Sequence, residues 1–132
     1  MTLAAAQAPA APNILVIEDY SDTRRLISVL LSKRGYNVIE AEDGLEGFLK
    51  ATGTKPDLIV MDLALPQMDG IESARRIHES PKLSKVPIIV LSAYLTPEVE
   101  KEVLAAGCVE MFPKPFDFES LLDCIDSMLK RG

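Results

Sequence analysis

Short apolar runs alternate along the chain with longer segments of helical periodicity. The apolar runs begin near Ile14, Tyr36, Leu58, Val86 and Val109. Runs in which nearly every residue is apolar predict strands that are buried on both faces. The segments between them carry Leu, Ile and Val at the spacing of amphipathic helices. A regular alternation of strands and helices predicts a parallel sheet with right-handed crossover connections.

The polarity of each run predicts its place in the sheet. The runs near Ile14, Leu58 and Val86 are almost entirely apolar, so we expect them at the centre. The runs near Tyr36 and Val109 contain Asn or Glu, which favours edge positions. The prediction is therefore an α/β fold: a doubly wound, five-stranded parallel sheet in the flavodoxin-like order 2-1-3-4-5, with helices on both faces.

Helix boundaries are indicated by capping residues and glycines. Asp43 and Asp69 are each followed three residues later by Glu, as in a capping box, and Thr96 precedes a proline. The other predicted caps are the segment 21–23 and Asp117, and the predicted helix ends are Gly35, Gly53 and Gly107.

Composition narrows the classes of function. The 132 residues suffice for one domain with a core, and the net charge of -6 argues against binding to nucleic acid. No apolar stretch is long enough to cross a bilayer, so we expect a cytoplasmic protein without membrane contact. Cys108 and Cys124 lack metal-ligand spacing and are expected to be reduced core residues. His78 is interpreted as a surface or boundary residue.

The first residues differ in composition from the rest. Residues 1–12 are rich in Ala and Pro, without the basic start or apolar centre of a signal peptide. We therefore expect a disordered tail over 1–12 and a folded domain over 13–132.

Chemically active side chains follow the predicted strands. Glu18 and Asp19 follow the first, Asp62 ends the third, Ser92 ends the fourth and Lys114 follows the fifth. Because the carboxyl ends of parallel strands share one edge of the sheet, these side chains are expected to converge in one crevice. Each residue alone is better explained as a cap or a surface charge, whereas the set at matching strand ends indicates a site.

Charge predicts what this crevice binds. Two carboxylates about 4 Å apart repel by about 4 kcal/mol at an effective dielectric constant of about 20, and the third carboxylate adds to this. Lys114 alone balances three anions poorly, whereas Mg²⁺ accepts oxygen ligands and retains water and phosphate in its shell. Together with a hydroxyl and an ammonium group, the crevice therefore predicts phosphoryl transfer to an aspartate.

The order and spacing of four motifs resemble response-regulator receiver domains of two-component signalling, over roughly residues 13–130. The motifs are Ile14-Leu15-Val16-Ile17-Glu18-Asp19, Met61-Asp62-Leu63 with Pro66 and Met68-Asp69-Gly70, Leu91-Ser92-Ala93, and Lys114-Pro115-Phe116. The resemblance implies a stand-alone receiver domain over 13–132, in which Asp62 accepts a phosphoryl group from a histidine kinase or phosphotransfer protein.

The resemblance also implies a role for each site residue. Asp19 and Asp62 would bind Mg²⁺ directly, the backbone carbonyl of Ala64 would be a third ligand, and Glu18 would act through a bound water. Ser92 would hydrogen-bond the phosphoryl group and Lys114 would pair with it. The backbone N–H groups of Leu63 and Ala93 would be further donors.

The chain departs from the family pattern at its expected switch residue. The family has an aromatic residue on the fifth strand three positions before the lysine, where this chain has Met111. Met can fill a pocket but has no hydroxyl to expose. We therefore hypothesise that Tyr94, two residues after Ser92, alters access to the site or carries part of the signal.

The expected output is docking to another protein at the surface formed by residues 96–130, by a monomer or weak dimer that catalyses only its own phosphorylation and dephosphorylation. The alternatives are a fragment of a larger regulator or hybrid kinase, a binding module with a vestigial site, and an aspartyl-nucleophile phosphohydrolase. Against the hydrolase, the position two residues after Asp62 is Ala64, where haloacid-dehalogenase-type enzymes usually have a second aspartate. Flavin binding is disfavoured because no phosphate-binding loop follows the first strand.

Overall fold

The computed structural model describes residues 11–65 and 67–129, in which five strands alternate with five helices. The strands are β1 Asn13–Ile17, β2 Asn37–Ala41, β3 Leu58–Asp62, β4 Ile88–Ser92 and β5 Glu110–Pro113. The helices are α1 Ser21–Lys33, α2 Gly44–Thr54, α3 Gly70–Glu79, α4 Pro97–Ala105 and α5 Phe118–Met128. Most of the expected tail, and residues 130–132 of the expected domain, lie outside the described residues.

The sheet has the predicted topology. Its strands run parallel in the order β2-β1-β3-β4-β5. Every residue of β3 and β4 is buried, whereas β2 and β5 each contain exposed or half-buried positions. The apolar runs therefore occupy the centre, because only a strand covered on both faces buries its side chains in both directions.

The helices cover the sheet in two layers. On one face, α1 and α5 pack over alternate strand residues such as Ile14 and Val16. On the other face, α2, α3 and α4 pack over the intervening residues, such as Leu15 and Ile17. The alternation of side chains along each strand therefore divides the core between two helical layers.

Three of the predicted helix caps are confirmed. The Asp43 carboxylate accepts the Glu46 N–H at 2.7 Å, Asp69 accepts that of Glu72 at 2.9 Å, and the Thr96 hydroxyl accepts that of Val99 at 3.2 Å.

Two other boundary predictions are wrong, and a third is correct only in position. Helix α1 already includes residues 21–23, since it begins after Tyr20 without a side-chain cap. Asp117 is the N-cap residue of α5, as predicted, but its carboxylate accepts the Ser120 hydroxyl and no backbone N–H of the helix. Helix α2 does not end at Gly53 but continues to Thr54. The left-handed conformation that was expected of the glycine is taken by Lys55 instead, with φ 51°.

Arg34, directly after α1, joins this helix to α5. Its guanidinium contacts Glu119 at 2.7 Å, Asp123 at 3.1 Å and Asp126 at 2.5 Å. The Tyr36 hydroxyl also donates a hydrogen bond to Asp126. One cation thus binds three carboxylates along one side of α5, which links the two helices of that layer.

The remaining sequence predictions concern isolated side chains. Cys108 is buried as predicted, whereas Cys124 is only partly buried because it lies at the border of the core on α5, and both thiols are free. His78 is exposed, in agreement with its interpretation as a surface residue. Among the described residues, no helix has the length and apolar character to cross a membrane.

Two of the three glycines of α2, Gly44 and Gly53, provide a test of this packing. A Cβ on Gly44 would lie 1.6 Å from the Met68 carbonyl oxygen, whereas a Cβ on Gly53 would meet nothing within 4 Å. We expect Gly44→Ala to lower the free energy of unfolding by about 2–4 kcal/mol, because backbone must move to accept the methyl group. Gly53→Ala should raise it by about 0.5–1 kcal/mol, because Ala favours helix. Urea denaturation measures both values, and equal effects would contradict the close approach at Gly44.

Candidate functional site

The predicted site residues lie together at the carboxyl edge of the sheet. Strands β3 and β4 end at Asp62 and Ser92, while Glu18, Asp19 and Lys114 directly follow β1 and β5. Asp62, Ser92 and Lys114 line a pocket of about 300 Å³. The other residues that line it are Leu63, Ala64, Ile71, Ala93, Tyr94 and Val99.

Three carboxylates surround one point at this edge. Oxygens of Glu18, Asp19 and Asp62 all lie within 4.8 Å of one another. Glu18 is 1% exposed and Asp62 is 5% exposed, whereas Asp19 is open to solvent. Two of the negative charges are therefore held where water screens them weakly, and their repulsion favours a bound cation.

Lys114 is the cation that the structure places against this cluster. Its Nζ lies 2.7 Å from Asp62 Oδ2 and 3.2 Å from Glu18 Oε1. Burial alone would lower the pKa of the Lys114 ammonium, but its bonds to Asp62 and Glu18 outweigh burial and raise this pKa above its ordinary value. Lys114 is therefore charged at neutral pH and holds both carboxylates in place.

The surroundings of Glu18 change its pKa. Burial, the hydrogen bond with Asp62 and the charge of Asp62 raise the pKa of Glu18 from 4.5 to about 7. The N–H of Tyr20, which donates to Glu18 Oε2 at 3.2 Å, and the charge of Lys114 oppose this rise. The site therefore remains short of positive charge even with Lys114 in contact.

The donor set fits a hard divalent cation. Three carboxylates, two of them buried, present oxygen atoms to one point, which is the ligand chemistry that Mg²⁺ prefers. The N–H of Ala64 donates to Asp62 Oδ1 at 3.0 Å and so orients this carboxylate. The predicted role of the Ala64 carbonyl as a ligand stays a prediction.

Ser92 is bonded to the loop that follows it. Its hydroxyl donates to the Tyr94 carbonyl at 3.3 Å and accepts the Tyr94 N–H at 3.1 Å. The Tyr94 side chain is 81% exposed at the pocket. Met111, at the position of the family's aromatic residue, is partly buried against the core beneath α2, α3 and α4. Ser92 is thus coupled directly to the backbone of Tyr94.

The structure adds two features that sequence reasoning missed. The Leu63 N–H, predicted as a donor to the phosphoryl group, is bonded to the Leu91 carbonyl at 3.1 Å, and the N–H directed at the Asp62 carboxylate is that of Ala64. The guanidinium of Arg24 donates to the Glu18 carbonyl at 2.8 Å. A basic residue in the first turns of an amphipathic helix has no sequence signal that separates such a contact from a solvated charge.

Comparison with known proteins identifies the class of domain that has this arrangement. Residues 14–126 match the family model of the response regulator receiver domain. RpaA, a DNA-binding dual master transcriptional regulator of Synechocystis sp., is 32% identical over 91% of this chain and 50% of its own length. Sporulation initiation phosphotransferase F of Bacillus subtilis is 30% identical over 88% of this chain and 92% of its own length.

A solved structure extends the similarity to the fold. The receiver domain of the sensor histidine kinase PA1611 from Pseudomonas aeruginosa superposes with a TM-score of 0.81 at 30% identity, covering 89% of this chain and 97% of that domain. That structure is described with a magnesium ion coordinated in its active-site cleft. This chain spans about half or less of the length of several curated relatives that it matches.

The raised pKa of Glu18 predicts a pH dependence of stability. Between its unfolded pKa of 4.5 and its folded pKa of about 7, Glu18 binds more protons in the folded state, so its contribution to stability falls as pH rises. We expect Glu18→Gln to raise the free energy of unfolding by about 1–3 kcal/mol at pH 8, because it removes a buried anion, and by less at pH 5.

Urea denaturation of the metal-free protein at both pH values measures this difference. Glu79→Gln, which removes an exposed carboxylate from α3, is the control and should have a small effect at either pH. An equal effect of Glu18→Gln at pH 5 and pH 8 would contradict the buried charge.

Proposed function

The chain belongs to the response regulator receiver domain family of two-component signalling, and from this we propose that it acts as a switch by accepting a phosphoryl group on Asp62. Members of this family are signalling switches that interact with histidine kinases or phosphotransfer proteins. The observation that carries the proposal is the Asp62 carboxylate, 5% exposed at the edge of the sheet and bonded to Lys114 at 2.7 Å.

In the proposed reaction, Asp62 attacks the phosphorus of a phosphohistidine on the partner protein. An O–P bond forms to the carboxylate while the P–N bond breaks, and the imidazole leaves with the electron pair. The Ala64 N–H and Lys114 each hold one oxygen of Asp62, so the carboxylate is oriented before the donor arrives. Lys114 then balances the charge of the transferred group, and the Ser92 hydroxyl donates a hydrogen bond to it.

We propose that Mg²⁺ is the cofactor of this site. Asp19 and Asp62 would bind it directly, with Glu18 acting through a water and the Ala64 carbonyl as a further ligand. When bound, the ion neutralises negative charge on the phosphoryl oxygens. The three clustered carboxylates support this assignment, as does the magnesium described in the similar PA1611 receiver domain.

The proposed catalytic activity is limited to the chain's own phosphorylation and dephosphorylation. A phosphohydrolase that acts on small substrates needs a second acid to protonate the leaving group, and Ala64 stands where the haloacid-dehalogenase type has an aspartate. The pocket beside Asp62 is instead lined largely by apolar side chains such as Ile71 and Val99. Such a lining offers few polar groups to orient a small phosphate ester.

The proposed output is docking to a downstream protein through residues 96–130 of a receiver domain that spans 13–132 and is a monomer or weak dimer. Within the described part of this surface, the apolar side chains of Leu104 and Val109 are 58% and 52% exposed. The net charge of -6 supports a protein partner and not a nucleic acid.

We propose that the loop after β4 carries the signal in place of the usual aromatic residue. A phosphoryl group on Asp62 would compete with Tyr94 for the Ser92 hydroxyl, which holds both the N–H and the carbonyl of Tyr94. Loss of these bonds would free the loop that leads into α4. Phosphorylation would thereby shift a pre-existing equilibrium between two loop conformations, because the phosphoryl group binds one of them better.

Phosphorylation of Asp62 is tested by incubating the protein with acetyl phosphate and Mg²⁺ and measuring intact mass. We expect wild type to gain one phosphoryl group, which is lost on treatment with hydroxylamine because it is an acyl phosphate. Asp62→Asn should gain none under the same conditions, and omission of Mg²⁺ should greatly slow the gain.

The matched control is Asp57→Asn, which changes an aspartate at the opposite end of β3. The Asp57 carboxylate accepts the N–H of Asn13 and lies away from the acidic cluster. Asp57→Asn should be phosphorylated like wild type. Equal labelling of Asp62→Asn and wild type would rule out Asp62 as the acceptor.

The role of Tyr94 is tested with Tyr94→Ala. We expect the phosphorylated variant to lose its phosphoryl group severalfold faster than wild type, because the large ring at the pocket no longer limits the access of water. Time courses of intact mass after removal of acetyl phosphate measure the rate. The control is Leu49→Ala, which also removes a large exposed side chain, but from α2 and away from the pocket. An unchanged lifetime in Tyr94→Ala would count against this role.

A further inference from the structure

Arg24 lies in α1 outside the pocket, yet it contacts the segment that carries two of the three acids. Its Nη1 donates to the backbone carbonyl of Glu18 at 2.8 Å. Its Nε and Nη2 contact the carboxylates of Glu40 at 2.9 Å and Glu42 at 3.4 Å. The Arg24 side chain is only 11% exposed, while its partner Glu40 is 33% exposed and Glu42 is open to solvent. Arg24 therefore joins three chain segments with one planar group.

The segment that Arg24 holds is the short connection between β1 and α1. At Glu18, the N–H donates to the Ala41 carbonyl at 3.0 Å and the carbonyl accepts from Arg24. Both backbone groups of this residue are thus fixed, one by the end of β2 and the other by Arg24. Glu18 and Asp19 follow one another here, so a rotation of this peptide would move both carboxylates relative to Asp62.

We propose that Arg24 is a positioning residue for the metal site, which rests on the proposed binding of Mg²⁺ by Glu18, Asp19 and Asp62. Arg24 binds the backbone carbonyl of Glu18 and not its carboxylate. It acts through the Glu18 carbonyl, which sets the direction in which the Glu18 and Asp19 side chains leave the backbone. Partners of this kind, one shell away from the ligands, are known to tune metal affinity.

The ion pairs of Arg24 explain how a cation is tolerated beside a cation site. A single positive charge near the cluster would repel Mg²⁺, but Glu40 and Glu42 balance the charge of Arg24. Glu40 is held in turn, since its carbonyl accepts the Lys50 ammonium of α2 at 2.6 Å. Arg24 therefore affects the metal site by holding the Glu18 carbonyl in place, and not through its positive charge.

The test compares Arg24→Ala with Arg25→Ala. Arg25 is the exposed next residue of α1, so Arg25→Ala removes the same charge without touching Glu18. Calorimetric titration of metal-free protein with Mg²⁺, at a temperature where circular dichroism shows each variant folded, measures the affinity. We expect Arg24→Ala to weaken Mg²⁺ binding about 10-fold and Arg25→Ala to leave it near the wild-type value. Arg24→Lys should stay weak, because an ammonium lacks the planar fork.

A second readout needs no metal. We expect the Tyr20 N–H, which is bonded to Glu18 Oε2, to exchange its hydrogen faster in Arg24→Ala than in Arg25→Ala. Equal Mg²⁺ affinities in Arg24→Ala and wild type would overturn the positioning role while the proposed function stands. Absence of Mg²⁺ binding in wild type would overturn both.

Discussion

Burial of two like charges side by side is the constraint on which this site depends. Glu18 and Asp62 are almost inaccessible to water, and their repulsion is relieved only partly by Lys114. A buried carboxylate without compensation takes up a proton, which is what the pKa of about 7 for Glu18 reflects. The folded chain thus holds more negative charge at Glu18 and Asp62 than Lys114 neutralises. A bound divalent cation would change that balance, and so would the phosphoryl group proposed for Asp62.

Carboxylates stay this close together only if the backbone that carries them cannot move apart. The acids and the lysine lie on or directly after the strands β1, β3 and β5 of one parallel sheet, whose central members are covered on both faces. Their backbones cannot move apart without opening the core. The loops at this edge are also tightly packed, since a Cβ on Gly70 would lie 2.6 Å from the Asp62 carbonyl. The rigidity of the sheet therefore maintains the repulsion that gives the site its chemistry.

The sequence was most informative where local pattern and function coincide. The apolar run that leads to Asp62 indicated a central strand and an acid at its carboxyl end, and the polar residues of β2 and β5 indicated edges. Contacts between distant segments carry no such pattern. The bond of Arg24 to Glu18, the engagement of Ser92 by Tyr94 and the left-handed Lys55 depend on how the chain closes in three dimensions. Periodicity therefore predicts elements and their order, whereas specific polar contacts need coordinates.

The bond network of Arg34 has a consequence for how the domain is able to rearrange. Three acidic side chains of α5 bind this one guanidinium, so displacing α5 against α1 would break several charge-assisted bonds together. Helix α4, in the opposite layer, buries only Val103 fully among its own residues. The layer of α1 and α5 is thus held together more firmly than α4, which is the helix better able to move. A change at the carboxyl edge of the sheet would then displace α4, while α1 and α5 on the opposite face keep their positions.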